Sequence, residues 1–262
     1  MKVNGIARIY YKNYSGFRLS AGFAKGGGIS LVYTDCRTTS ASQTDSSSLS
    51  VYFAAGISIS RKNENFRDAM QDIEHRCHSE GINRVRVNTF YPYGYLDDVP
   101  MARHKRFVIG QAAVVFTDML KKAAKTSGGR SLYSDIRTDY DAEGGGKIVL
   151  IGHSGGGVAS YKAGQLLEEA GYPVTDIIMV GSPQLPIRKN FRDRVYALEN
   201  SWGDLVCRCG FNLFKPPRNR VRLPIVAGHP CYFCNESKDE NNVSNMSKVL
   251  DTIWGWVCPT GK

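Results

Sequence analysis

No run of apolar residues in this chain of 262 approaches the roughly 20 needed to cross a bilayer as a helix. The opening, "MKVNGIARIYYKNYSGF", holds no uninterrupted apolar h-region of the kind a secretory leader uses. The expectation is therefore no leader and, by default, a cytoplasmic location. Cysteine is scarce: seven residues are too few to build a disulfide scaffold at this length. Internal repeats are absent, and so are the regular RNA- and DNA-binding signatures, which leaves no specific nucleic acid partner to expect. Acidic residues are outnumbered, 24 against 34 Lys and Arg, for a net charge of +10. That excess points to anionic ligands or surfaces and says nothing about fold. What remains is ordinary globular composition, 42% hydrophobic and 22% charged, in a chain long enough to bury one large core.

Along the chain, residues 1–36 read as short strands ("IARIYY", "GFRLSAGF", "ISLVYT") with glycine turns, too few residues for an independent core. They are taken as a β-rich extension of one domain. Residues 37–50, "RTTSASQTDSSSLS", read as an exposed Ser/Thr-rich loop, and 51–262 as an α/β domain. "LSVYFAAG" (49–56), "NRVRVNTFYPYG" (83–94), "GGGKIVLIG" (144–152), "VTDIIMVGSP" (174–183), "RVYALEN" (194–200) and "NRVRLPIV" (219–226) are strand-like. Between them, Phe66, Met70, Ile73 and Cys77 mark one helix face. Val108, Ala112, Val115, Phe116, Met119, Leu120 and Ala123 mark another. "GVASYKAGQLLEEAG" and "MSKVLDTIWGWV" (246–257) complete the helices. This alternation predicts a mostly parallel sheet covered on both faces, with every loop that follows a strand along one edge.

Against that background stands "KIVLIGHSGGGVASY". A G-x-S-x-G pentapeptide alone fits a turn whose serine merely caps a helix. Its setting, between a buried strand and a helix, is also where a nucleophilic serine would sit, because the turn tolerates only small neighbours such as Gly152, Gly155 and Gly156. Serine needs a base, and the base an orienting carboxylate. His229 in "AGHPCYF" is the only histidine after Ser154. Asp204 in "ENSWGDLV" follows a strand by a short loop, whereas Asp176, Asp193 and Glu199 lie before or inside strands. The triad expected is Ser154, Asp204 and His229. The oxyanion hole would take the amide of Gly155 and one from the loop after "SVYFAAG", Ile57 first and Ser58 second.

In wording and order these segments resemble an α/β-hydrolase of the lipase (class three) type. "GHSGGG" stands for its elbow, "MVGSPQ" for its next strand, "GDLV" for its acid and "GHPCYF" for its histidine. The resemblance spans about residues 49–235. It implies the α/β-hydrolase fold, hydrolysis of carboxylic esters through an acyl-serine, and Ser154, Asp204 and His229 as the residues that carry it. Gly155 stands where such lipases usually have leucine, no amphipathic lid segment is evident, and the N-terminal strands fall outside the match. No cofactor is needed for this chemistry. An acyltransferase or thioesterase using the same triad, and a silent lipid- or polyanion-binding protein, are the alternatives.

Three further features stay open at this level. Cys207, Cys209, Cys231 and Cys234 lie in the two loops carrying Asp204 and His229, and could be free thiols, a disulfide or a zinc site. Residues 186–222 carry nine Lys/Arg against three Asp/Glu, either a solvated face or an attractor of anionic lipid surfaces. Aromatics in "NTFYPYGYL" could line an acyl pocket.

Overall fold

The computed structural model describes residues 17–23, 29–35, 48–60, 66–97, 99–209, 217 and 219–258. The strand expected at "IARIYY", most of the Ser/Thr-rich loop, and Lys215 and Arg218 of the basic stretch lie outside the described residues. The chain divides into two compact units, residues 1–44 and 45–262. In the first, β1 (Phe17–Phe23) and β2 (Ile29–Asp35) pair antiparallel, with Phe17 opposite Asp35 and Phe23 opposite Ile29.

The second unit is built on six strands: β3 (Ser48–Ala54), β4 (Arg84–Phe90), β5 (Lys147–His153), β6 (Val174–Val180), β7 (Val195–Asn200) and β8 (Asn219–Leu223). Every neighbouring pair is parallel, in the order β4-β3-β5-β6-β7-β8. Helices α1 (Arg67–Ser79) and α6 (Asn245–Val257) cover one face. Helices α2 (His104–Leu120), α3 (Ser127–Glu143) and α4 (Gly155–Glu169) cover the other. A four-residue helix, α5 (Leu205–Arg208), joins β7 to β8. This is the α/β architecture of the α/β-hydrolase fold. Among the described residues no helix is long and apolar enough to cross a membrane.

Strand alternation explains the two-faced core. Val51, Phe53, Val149, Ile151, Ile178 and Val180 face α1 and α6, while Tyr52, Ala54, Ile148, Leu150, Ile177 and Met179 face α2, α3 and α4. Both edges, "RVRVNTF" and "NRVRL", carry charges that discourage further pairing. The order reverses between β3 and β5, because β3 leads outward to β4 and β5 leads the other way to β6. Loops leaving such a switch point diverge and open a crevice at the carboxyl ends of the strands. The loops in question hold Gly56 and Ser154.

Three expectations need correction. Strand β3 begins at Ser48, so the last residues of the polar loop pair in the sheet. Helix α2 presents Phe116 and Leu120 to solvent, 58% and 60% exposed, and buries Gln111, Val115, Asp118 and Met119 instead. Two buried polar residues rotate the inward face away from the apolar stripe. The third is α3, which the apolar pattern did not signal. Its start is capped from outside: the Asp118 carboxylate accepts hydrogen bonds from the amides of Ser127 (3.0 Å) and Gly128 (2.8 Å).

Candidate active site

Strand β5 is buried along all but its first residue and delivers the chain to Ser154 in the middle of the sheet. Ser154 then adopts φ 56 and ψ −128, a left-handed conformation that costs a non-glycine residue on the order of 1–3 kcal/mol. The following residues must be small because the turn is tight. A Cβ at Gly156 would overlap the carbonyl of Ala54 at the end of β3. Gly155 stands under α2, where a Cβ would lie 2.9 Å from Val115 Cγ2. A larger side chain there would have to displace Val115.

Ser154 sits at the start of α4, yet its side chain makes no capping bond. Its hydroxyl donates instead to His229 Nε2 at 2.9 Å. The imidazole in turn donates from Nδ1 to Asp204 Oδ2 at 2.7 Å. Residues 75 positions apart or less in sequence therefore meet at the ends of β5, β7 and the turn after β8. That turn runs through Ala227 (φ 60) and Gly228 (φ 77), which swing His229 back over the serine.

Asp204 has two tasks. Its Oδ1 accepts from the Val206 amide at 2.9 Å, capping α5, and its Oδ2 accepts from both His229 and the Tyr232 hydroxyl, the latter at 3.1 Å. The carboxylate is 1% exposed. Burial alone would raise its pKa, but the His229 bond and charge, the Val206 amide and the Tyr232 hydroxyl together hold it at about 2. Asp204 is thus ionised across the neutral range and can fix the imidazole tautomer.

His153, the residue before the serine, stacks against the His229 ring with centroids 5.2 Å apart and donates from Nε2 to the His229 carbonyl at 3.1 Å. Burial, helped by the neighbouring His229, lowers its pKa to about 4. It is therefore a neutral support beneath the second imidazole. Asn245, fully buried at the start of α6, clamps the same loop: it accepts from the Val226 amide (3.0 Å) and donates to the carbonyls of Val226 (2.8 Å) and Cys231 (2.9 Å).

On the other side of the crevice, Gly56 lies against the serine, so that a Cβ there would stand 2.9 Å from Ser154 Cβ. Of the two amides expected from this loop, that of Ser58 donates to Gln111 Oε1 at 3.1 Å and is engaged. The Ile57 amide has no hydrogen-bond partner among the described residues, and neither does that of Gly155, the first residue of α4. Gln111 also donates to the carbonyls of Tyr93 (2.8 Å) and Gly94 (3.1 Å), tying the loop to α2. The Tyr93 ring lies on the side of Gly155 where a Cβ would point, 3.5 Å from that position. Tyr232, His153, Asn245 and Gln111 were not expected as site residues; only the aromatic after "GHPC" hinted at one of them.

The four cysteines do not converge. Cys207 meets the Tyr232 hydroxyl at 3.9 Å, the Cys209 thiol donates to the Leu205 carbonyl at 3.5 Å, and Cys231 and Cys234 lie against each other. All four are free thiols, so no disulfide joins the two loops, and no group of three metal-binding side chains forms among the described residues. Much of the basic stretch is paired as well: Arg188 with Glu169, Arg194 with Glu168, and Arg220 and Arg222 with Glu199.

Chemically, the arrangement provides a hydroxyl, an acceptor for its proton, a carboxylate to orient that acceptor, and two amides beside the hydroxyl. No family model matches the chain, and no curated protein matches it either. Among solved structures it is similar to the NocB thioesterase domain from the nocardicin cluster, with a TM-score of 0.44 and 15% identity over 80% of this chain and 94% of that one. The covalent complex of that domain with a fluorophosphonate nocardicin G analog gives the same TM-score at 16% identity.

Proposed function

We propose that this protein is a serine hydrolase of carboxylic esters, of the lipase (class three) type that its motifs resemble, with Ser154, His229 and Asp204 as its triad. One observation carries the reading: the unbroken relay from Ser154 Oγ through His229 to Asp204, at 2.9 and 2.7 Å, begun by a serine held in a strained backbone.

In the first step His229 Nε2 takes the hydroxyl proton as Ser154 Oγ attacks the ester carbonyl. The negative charge that develops on the carbonyl oxygen is met by the amides of Gly155 and Ile57 and by the positive end of α4. Collapse expels the alcohol, which takes its proton from His229, and leaves the acyl group on Ser154. Water, deprotonated by the same imidazole, then attacks the acyl carbonyl, and Ser154 recovers its proton as the acid leaves.

The test is hydrolysis of p-nitrophenyl esters of increasing chain length by wild type and Ser154→Ala, with thioesters and an added alcohol acceptor in parallel. Release of nitrophenol by wild type and its loss in the variant, with unchanged circular dichroism, is the expected result. Activity retained by Ser154→Ala refutes the mechanism; preference for the thioester, or transfer to the alcohol, replaces ester hydrolysis with the acyl-transfer chemistry.

An anionic lipid surface is the proposed partner. Support comes from α2, whose outer side carries Ile109, Phe116 and Leu120 in line, with Met101 just before it. Lys105, Arg106 and Lys121 border this row, and the inner side of the same helix packs on the oxyanion loop. Flotation with vesicles rich in phosphatidylglycerol is expected for wild type and not for Phe116→Asp, while flotation of neither sinks the proposal.

A further inference from the structure

Behind the triad acid lies a cavity of about 490 Å³ that the relay does not use. Strand alternation builds one wall. Arg220 and Arg222 of β8 are two residues apart and point the same way, and Arg222 is the register partner of Glu199 on β7. Arg208, in the last turn of α5, lines it as well, together with the exposed Trp202 and the buried Asp204.

The charges do not balance. Three guanidinium groups line the cavity against two carboxylates, and both carboxylates are already committed. Asp204 accepts from His229, Tyr232 and Val206. Glu199 is bracketed by Arg220 and by Arg222, the latter at 3.7 Å. Arg208 is exposed and pairs with no carboxylate among the described residues. Arg220 reaches Glu199 with one terminal nitrogen, and its Nε–H is enclosed in the wall. Guanidinium groups from two elements of one concave wall can hold the several oxygens of a phosphoryl group through paired charge-assisted hydrogen bonds. The exposed Trp202 ring, 68% accessible, offers an apolar face for whatever that anion is attached to.

We infer that this cavity is a binding site for a phosphoryl group, taken either as free phosphate or as a phosphate monoester, held by Arg208 and Arg222 with Arg220 behind them. The cavity shares Asp204 with the relay but not Ser154 or His229, and the inference stands whether or not Ser154 is a nucleophile.

Calorimetric titration of the full-length Ser154→Ala protein keeps the two questions apart, because it reads binding without turnover. Inorganic phosphate and phenyl phosphate are titrated separately. Saturable binding with Kd at or below about 1 mM is expected, weakened roughly ten-fold or more by Arg208→Ala and by Arg222→Ala. Arg103→Ala, a surface change on α2's approach, is expected to leave it intact. Equal affinity for the two probes identifies free phosphate as the ligand. Tighter binding of phenyl phosphate that is lost in Trp202→Ala identifies a monoester. The inference fails if neither probe saturates, if both arginine variants bind like the parent, or if Arg103→Ala weakens binding as much as they do.

Discussion

Acid should loosen this fold through His153. In the folded protein, burial and the adjacent His229 lower the His153 pKa from the usual 6.5 to about 4. Between those values the unfolded chain binds a proton that the native state refuses, so stability falls as pH drops from 6.5 towards 4 and is intact above 6.5. At about 1.36 kcal/mol per pH unit, the full penalty is on the order of 3 kcal/mol. At pH 4.5 most of it, roughly 2–3 kcal/mol, has been incurred, a large share of a typical domain's stability. Replacing His153 by Gln removes the titration while leaving an amide able to donate to the His229 carbonyl. Urea unfolding at pH 7.5 and pH 4.5 isolates the effect as a difference of differences. Wild type is expected to lose roughly 2–3 kcal/mol more between the two pH values than His153→Gln does. Equal losses in both proteins would refute the claim that a buried neutral imidazole supports the site.

Tyr232→Phe withdraws one donor from Asp204 and should raise the pH at which that carboxylate takes up a proton. The stability Asp204 lends is present above its ordinary 3.8 and lost as pH falls towards about 2, so acid unfolding of the variant should begin at higher pH; an unchanged midpoint contradicts this. Asn245→Ala strands the Val226 amide and two carbonyls and should cost about 3 kcal/mol in urea, with kcat falling more than KM rises. A stable variant with normal kcat would show that the clamp does not position His229. Gly56→Val pushes a side chain into the space beside Ser154 and should lower kcat/KM for p-nitrophenyl acetate by more than about ten-fold, which unaltered activity would disprove.

What was legible in the sequence was what local pattern encodes. The strands of the second unit are short apolar or alternating runs bounded by turn residues, and all six lie where those runs do. Ser154, Asp204 and His229 could be picked out because each follows a strand, and strand order alone sends such positions to one edge. The rest depends on partners distant in sequence. Helix α3 has two glycines in its first turn, and its cap comes from Asp118 nine and ten residues upstream on another helix. The inward face of α2 follows Gln111 and Asp118, whose burial is made affordable only by loops they bond to. Asn245 and His153 read as ordinary polar residues until the turn at 226–231 is laid across them. Pairing of the basic stretch was equally hidden, since Arg188 and Arg194 meet acids on α4, outside the stretch itself.

The central claim is that the Ser154 hydroxyl is made nucleophilic by His229. Reaction with a fluorophosphonate probe, followed by intact-mass and peptide mapping over time, tests it most directly. The expected result is one adduct, on Ser154, formed quickly in wild type, at least about a hundred-fold more slowly in His229→Ala, and not at all in Ser154→Ala. An unlabelled wild-type protein, or labelling at the same rate when His229 is gone, would contradict the account.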